Sequence, residues 1–426
     1  MLNTLKQYLL GKKVIIKVLS SSFLSLPVNL LVSVITLRYI DPYYMGVWAA
    51  MTIFETYANI LRMGIVNGMN RELPYALGTG EQEKAIGYAQ TTFAFNLFAT
   101  VIIWIIAPLI MFNFELNSTY IACIMVSLGR ITLNYYITYV AGTFRTTDNF
   151  NKLSNIQFVL IVSHLLFSGL IFIYGFNGYL AMQLLQTLLN AILLHLYRPF
   201  RVLPKFNSNA FVALFKTGMP LFVTSYLVSI IDTIPKLFII RFGNETMLGL
   251  YTPVLIIITA FSLLPNSLGA YYYPKLSYAF GKRNDPVEIW KMMKKVYLVS
   301  LLAIFPMILA GYFLLPEVIA FFPKYKESLP YMQTVLLIGP FILAKLGNLL
   351  NVVLKKINFM GYYVALNGVF QIASIASLYL FTEMPVLQIA IWSQVITSAL
   401  VYICSLLINS KVVNLMTEQN LNKILK

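Results

Sequence analysis

Long apolar runs alternate with short polar connections along most of this chain. A membrane-spanning helix needs about 20 mostly apolar residues, and twelve runs approach or exceed that length. The pattern therefore predicts an all-α membrane protein with about twelve spans, at residues 14–37, 44–67, 86–112, 119–142, 153–174, 179–197, 217–240, 249–274, 296–315, 331–354, 361–381 and 385–408.

One connection differs from the others because it is long and combines prolines with a polar cluster. It covers residues 198–216 and predicts two lobes of six spans each, at residues 1–200 and 201–426. RYIDPYYMGVW at 38–48 and RFGNETMLGLY at 241–251 repeat a basic residue and a glycine at the same interval. Duplicated lobes with a site at their interface are common in secondary transporters. We therefore expect two pseudo-symmetric lobes around a central cavity.

Composition supports membrane insertion over a soluble fold. Of the 426 residues, 59% are hydrophobic and only 11% are charged, and the mean hydropathy is +0.76. Soluble domains average roughly 45–50% apolar and about 25% charged residues. The composition thus excludes a soluble enzyme and a disordered chain.

The charge balance, 31 basic against 15 acidic residues, has a topological explanation. Lys and Arg accumulate in cytoplasmic connections of membrane proteins. Here they concentrate in every second connection, and the alternate connections carry only Arg38, Arg241, Lys324 and Lys326. This asymmetry predicts that both termini are cytoplasmic, and it removes the need for a nucleic-acid partner.

Charged residues inside predicted spans are the first candidates for function, because they are costly at bilayer depth. In the second span, Thr52, Glu55, Asn59 and Arg62 recur at helical spacing and share one face. One interpretation is a cavity wall on which Glu55 binds a coupling cation and Arg62 meets an anionic substrate. The other is an internal ion pair that fixes helix packing.

The seventh predicted span combines charge with a helix-breaking residue. Asp232 and Lys236 lie four residues apart, and Pro235 stands between them. The arrangement indicates either a hinge beside a functional charge pair or a local salt bridge. Pro27 in the first span is a second hinge candidate.

Two cations have no acidic partner within their own predicted helices. They are Arg130 in the fourth span and Lys345 in the tenth. Such cations suit an anion such as phosphate. The alternative is a partner from another helix, such as Glu55 or Asp232.

Uncharged polar residues also recur inside the spans. They suit sugar hydroxyls in a polar cavity lining, or equally hydrogen bonds between helices, and comprise Ser25, Asn29, Asn59, Asn348, Asn367 and Gln371. No nucleotide, metal or nucleophile motif accompanies them, so we expect no catalytic residue, metal or cofactor.

Several connections resemble those of Wzx-type O-antigen and polysaccharide repeat-unit flippases, which belong to the multidrug, oligosaccharidyl-lipid and polysaccharide exporter superfamily. The similar stretches lie at 38–48, GIVNGMNRELPYALGTGEQEK at 64–84, GMPLFVTSYLVSIID at 218–232, LGLYTPV at 248–254 and YYYPKLSYAFGKRND at 271–285. The resemblance covers most of the chain and rests on diffuse patterns.

The resemblance implies a multi-pass protein of the bacterial inner membrane that is not an enzyme. It would move an undecaprenyl-diphosphate-linked oligosaccharide to the outer leaflet by alternating access. Its implied partners are this substrate, membrane lipid, a coupling proton or sodium ion, and a polysaccharide polymerase with its chain-length regulator. Cavity cations would meet the substrate, a role that fits Arg62, Arg130, Lys236 and Lys345, and Glu55 and Asp232 would couple the ion.

The sequence is also compatible with two other functions. A multidrug or toxin exporter of the same superfamily would share the architecture, although acidic and aromatic cavity residues are expected there. A membrane glycosyltransferase, O-antigen ligase or polymerase would carry a large outer loop. The predicted outer loops are short, the longest at about residues 316–330.

Overall fold

A computed structural model describes residues 24–424 except 26, 113–116, 148, 284, 355 and 357, and those residues form helices without a β-strand. The α-helices are α1 Pro27–Tyr39, α2 Pro42–Ala58, α3 Ile65–Gly78, α4 Gln82–Phe112, α5 Ser118–Thr146, α6 Phe150–Tyr197, α7 Ser208–Ile231, α8 Ile234–Phe242, α9 Glu245–Leu250, α10 Thr252–Arg283, α11 Pro286–Ala320, α12 Leu329–Val335, α13 Gly347–Val353, α14 Asn358–Phe381 and α15 Val386–Ile424. The 3₁₀ segments are Asn59–Arg62, Pro323–Ser328, Leu336–Ile338 and Phe341–Leu346. The start of the first predicted span, before residue 24, lies outside the described residues.

The helices confirm the all-α membrane architecture. Within the described residues, eight helices are long and apolar enough to cross a bilayer, and the number is nine if the pair Pro323–Ile338 and Phe341–Val353, bent by 44°, counts as one span. Helix α6 extends over 48 residues and holds the fifth and sixth predicted spans, with a break at Gly175 (φ 56°, ψ −127°) where they were expected to separate. The described part of the first predicted span, 14–37, lies mainly in α1. The second predicted span, 44–67, corresponds to α2 and the segment that follows it.

Two predicted spans, 217–240 and 331–354, contain a break in the helix. The first break lies beside Pro235, the hinge candidate of the sequence, whereas the sequence analysis names no hinge candidate in the second span. Proline explains both breaks, because its ring clashes with the carbonyl four residues earlier and it offers no N–H. The residue four before Pro235 is Ile231, the last residue of α7. The residue four before Pro340 is Leu336, which directly follows the last residue of α12.

The second predicted span, 44–67, is also discontinuous. Helix α2 ends at Ala58 and tightens into the 3₁₀ turn Asn59–Arg62. Two left-handed residues then follow, Met63 (φ 45°) and Gly64 (φ 71°), before α3 begins. Left-handed backbone cannot continue a right-handed helix, so the chain changes direction here.

Tyrosine hydroxyls occupy the backbone acceptors exposed by this break. The hydroxyl of Tyr135 on α5 donates to the carbonyl of Ala58. The hydroxyl of Tyr226 on α7 donates to the carbonyl of Tyr57 at 3.1 Å. A non-helical segment at membrane depth needs such partners, because lipid supplies none.

Backbone contacts bring α3 against α7 at the same break. A Cβ atom on Gly218 would lie 2.0 Å from the carbonyl oxygen of Gly64, and one on Gly68 would lie 2.1 Å from that of Leu214. Only glycine permits this approach, which is the common use of small residues between membrane helices.

The chain divides into two compact units, the first ending at Tyr226 and the second beginning at Leu227. The division falls inside α7, which begins at Ser208 within the linker expected at 198–216. Residues 201–207 of that linker are non-helical. The orientation of the two termini remains a prediction.

Candidate functional site

The second unit contains a partly open cavity of about 500 Å³, whose largely apolar wall carries a group of charged and polar side chains. Its wall comes from α7, α8, α10, α13, α14, α15 and the 3₁₀ segments Leu336–Ile338 and Phe341–Leu346. Six of the residues predicted for the site lie on this wall, namely Asp232, Lys236, Lys345, Asn348, Asn367 and Gln371. A cavity of this size lies in the range of ordinary ligand pockets, about 300–1,000 Å³.

Both proline breaks place charge on the cavity wall. Asp232 stands between α7 and α8, and Lys236 lies in the first turn of α8. Lys345 lies in the 3₁₀ segment that follows Pro340. Broken helices line the substrate sites of many transporters, because a polar cavity can tolerate backbone and charge that lipid cannot.

The charges on the wall are unequal, with two ammonium groups against one carboxylate. Asp232 interacts electrostatically with Lys236 and with Lys345. The Nζ atom of Lys345 donates a hydrogen bond of 2.8 Å to Oγ of Ser262. Within the described residues, no direct ion pair joins Lys345 to a carboxylate. The wall therefore carries two basic side chains against one acidic side chain.

Amide side chains supply both donors and acceptors beside these charges. Gln371 donates from Nε2 to Oγ of Ser393 at 3.0 Å, which fixes its amide against α15. The Oδ1 atom of Asn348 has no hydrogen-bond partner in the described part of the chain. Asn367 is half-buried on the same wall. Amides and hydroxyls in this arrangement suit a polyhydroxylated ligand.

Several polar residues of the wall were not among the site residues predicted from the sequence. A weak signal was present, because they recur at steps of three or four on the apolar helices α10 and α15. They are Thr259, Ser262, Gln394, Thr397 and Ser398.

The predicted residues Glu55 and Arg130 form a separate cluster in the first unit. The Nε atom of Arg130 lies 3.1 Å from Oε1 of Glu55, and both side chains are largely buried. Arg130 also donates to the amide oxygen of Gln183, and its guanidinium lies 5.1 Å from the centre of the Trp48 ring. Arg130 therefore has an acidic partner on another helix, Glu55, which was the alternative to an anionic ligand.

Arg62 lies on the 3₁₀ turn next to this pair. Its Nη1 atom donates to Oδ1 of Asn59 at 3.3 Å, while the amide of Asn59 donates to the carbonyl of Glu55 at 3.0 Å. The guanidinium lies 6.0 Å from the centre of the Tyr135 ring. Its Nε atom has no hydrogen-bond partner within the described residues.

The candidates from the first predicted span also belong to the first unit. Ser25 is half-buried and Pro27 is exposed at the start of α1. Oδ1 of Asn29 lies 3.2 Å from Nδ1 of His164 on α6. None of these three residues lines the cavity of the second unit.

A family model described as "Polysaccharide biosynthesis protein" matches residues 35–325. Solved transporter structures share the fold. An inward-facing multidrug resistance MATE family transporter of the MOP superfamily aligns with TM-score 0.77 and 15% identity, over 92% of this chain and 96% of that chain. An outward-facing conformation of such a transporter aligns with TM-score 0.66 and 14% identity, over 95% of both chains.

A third structure is a MOP superfamily transporter from Pyrococcus furiosus, described as having a binding pocket of reversed polarity. It aligns with TM-score 0.67 and 14% identity, over 95% of this chain and 96% of that chain. A search of curated proteins finds no match. At these identities the structures establish a two-lobed, MATE-like transporter fold in a multi-pass membrane protein.

Proposed function

This chain belongs to the polysaccharide biosynthesis protein family, and from that premise we propose that it translocates a lipid-diphosphate-linked oligosaccharide across the bacterial inner membrane. The fold that it shares with MOP superfamily transporters supports transport rather than catalysis. The same proposal includes an undecaprenyl carrier and a glycan that is a polysaccharide repeat unit. It also includes a polymerase and a chain-length regulator as partners.

The cavity of the second unit is the observation that carries the proposal. A glycan needs many hydrogen-bonding groups, and the cavity wall offers the amides of Asn348 on α13 and of Asn367 and Gln371 on α14. An anionic substrate needs positive charge, which Lys236 and Lys345 provide. A lipid carrier can remain in the bilayer while such a cavity holds only the polar group.

Transport by alternating access requires the protein to exchange between states with different ligand affinities. The breaks at Pro235 and Pro340 lie beside the charged wall, so a change in bend there would move Asp232 and Lys345. Cation binding at Asp232 would then favour one of these states. Glu55 is the second candidate for ion coupling. To bind a cation, its carboxylate would have to separate from Arg130.

Reconstitution in liposomes tests the proposal. A fluorescent lipid-diphosphate oligosaccharide is loaded in one leaflet, and its arrival in the other is followed with and without proton or sodium gradients. We expect protein-dependent movement that Lys345→Gln and Asn367→Leu reduce. Lys411→Gln is the matched control, because Lys411 is exposed on α15 away from the cavity.

A multidrug exporter is the second candidate, and the MATE-like fold favours it. The same liposomes, loaded with a cationic dye, compare the two functions directly. Dye efflux without oligosaccharide movement would replace the proposed function by drug export. The surplus of ammonium groups in the cavity leads us to expect the opposite result.

A further inference from the structure

The segment that joins α6 to α7 lies at a membrane surface. Helix α6 ends at Tyr197 and α7 begins at Ser208, and both helices are long and apolar enough to cross a bilayer. The residues between them, 198–207, are non-helical. Non-helical backbone exposed to lipid does not occur within the hydrocarbon region of a membrane. The linker 198–207 therefore lies outside that region, beside the lipid headgroups.

This linker carries positive charge that the neighbouring chain does not neutralise. Arg198, Arg201 and Lys205 belong to it, and the sequence has no Asp or Glu between Asp148 and Asp232. Within the described residues, none of these three cations forms an ion pair. Uncompensated Lys and Arg residues at a membrane surface attract anionic lipid headgroups.

Arg198 differs from the other two cations because neutral side chains orient its guanidinium. Its Nη1 atom lies 2.8 Å from Nδ1 of His195 and donates to the hydroxyl of Tyr136 on α5 at 3.3 Å. That hydroxyl lies 2.6 Å from the same Nδ1 atom. Since a guanidinium can only donate, Nδ1 of His195 is an acceptor here. The contacts fix one nitrogen of Arg198 and leave its charge without an anionic partner in the described part of the chain.

The apolar side chains of the linker have two different environments. Phe200 and Val202 pack against the core of the first unit, which fixes the linker on that unit. Leu203 is 81% exposed and Phe206 is 56% exposed. Exposed apolar side chains next to cations are typical of protein surfaces that enter the headgroup layer of a membrane.

We propose that a linker surface binds an anionic phospholipid of the adjacent leaflet. The surface is formed by Arg198, Arg201, Leu203, Lys205 and Phe206. The oriented guanidinium of Arg198 binds the lipid phosphate, Arg201 and Lys205 add positive charge, and the two apolar side chains contact the acyl chains. None of these residues lines the cavity of the second unit, so the proposal goes beyond the proposed function and does not depend on the substrate.

Native mass spectrometry of the purified full-length protein in detergent tests the proposal. The probes are phosphatidylglycerol and phosphatidylcholine with the same acyl chains. We expect phosphatidylglycerol to bind at least about fivefold more tightly, because one basic side chain at an anionic surface contributes roughly that factor. Equal affinities would overturn the proposal. Displacement of phosphatidylglycerol by an equal concentration of inorganic diphosphate would also overturn it, because the site would then take a soluble anion.

Variants identify the linker as the source of the lipid preference. Arg198→Gln should weaken the binding of phosphatidylglycerol about fivefold, and Arg201→Gln combined with Lys205→Gln should weaken it more. The matched control is Lys324→Gln combined with Lys326→Gln, which removes two exposed lysines from the segment after α11. An equal loss in the control, or no loss in the linker variants, would contradict the proposal.

A spin label at position 203 locates the linker without changing its charge. Leu203→Cys is labelled in a background without Cys123 and Cys404, and the protein is placed in nanodiscs with and without phosphatidylglycerol. With phosphatidylglycerol, we expect the label to become more accessible to oxygen and less accessible to a water-soluble nickel chelate. Equal accessibility in both kinds of nanodisc would overturn the proposal.

Discussion

The Nε atom of Arg130 lies 3.1 Å from Oε1 of Glu55, so an ion pair joins α5 to α2 inside the first unit. Glu55 and Arg130 side chains are only 15% and 18% exposed. An ion pair in such surroundings is costly to break from one side, because the remaining charge loses its partner.

This pair predicts a specific pattern of stability. Glu55→Ala and Arg130→Ala should each lower the free energy of unfolding by about 3 kcal/mol, whereas Glu55→Leu combined with Arg130→Met should lower it less than either single change. Thermal unfolding in detergent measures the difference. Lys84→Gln is the control, since its pair with Glu81 is exposed. A double variant less stable than both single variants would contradict the assignment.

The glycine contact between α3 and α7 predicts a large effect from a single methyl group. Gly218→Ala places Cβ 2.0 Å from the carbonyl oxygen of Gly64, and overpacking of this kind costs about 1–3 kcal/mol or more. We expect a lower midpoint of thermal unfolding and less monodisperse protein after extraction. Gly361→Ala is the matched control, because no atom lies within 4 Å of its added Cβ. Equal stability of both variants would refute the close approach.

The tyrosine that caps the break after α2 predicts a smaller effect. Tyr135→Phe removes the hydroxyl that donates to the carbonyl of Ala58. The loss should cost about 1 kcal/mol, and faster hydrogen exchange should appear in residues 59–64. Tyr174→Phe serves as control, because Tyr174 is 63% exposed. Unchanged exchange at 59–64 would show that the hydroxyl does not stabilise the break.

The break between α7 and α8 should close when its proline is replaced. Pro235→Ala restores an N–H that can donate to the carbonyl four residues earlier, which favours a continuous helix. Spin labels at Leu221 and Arg241, in a background without Cys123 and Cys404, report the distance across the break. Compared with the protein that keeps Pro235, we expect a different and narrower distribution of the distance between the two labels, together with slower transport. An unchanged distribution would argue against Pro235 as the cause of the break.

Sequence pattern predicted the helices well because lipid imposes a long apolar run on every span. Proline chemistry marked Pro235 as a hinge candidate, but nothing in the pattern predicted the break at Met63 and Gly64. The left-handed backbone of these two residues is a local geometry that hydropathy does not record.

The site was only partly predictable for a different reason. Helical spacing identified Asp232 and Lys236 as neighbours, but only the folded chain brings Lys345 and Asn367 to the same cavity. For Arg130, the sequence left an anionic ligand and a cross-helix carboxylate open, and the fold brings Glu55 to it. Contacts between distant segments depend on helix packing and cannot be read from one helix at a time.

We propose that the glycan occupies the cavity of the second unit during transport, and photocrosslinking can detect this occupancy. A lipid-diphosphate oligosaccharide with a diazirine on one sugar is irradiated with the reconstituted protein, and the labelled peptides are identified by mass spectrometry. We predict labels on the α14 and α15 peptides that contain Asn367 and Gln394, and their loss when unlabelled oligosaccharide competes. Labels that avoid both peptides, or that persist under competition, would contradict the claim.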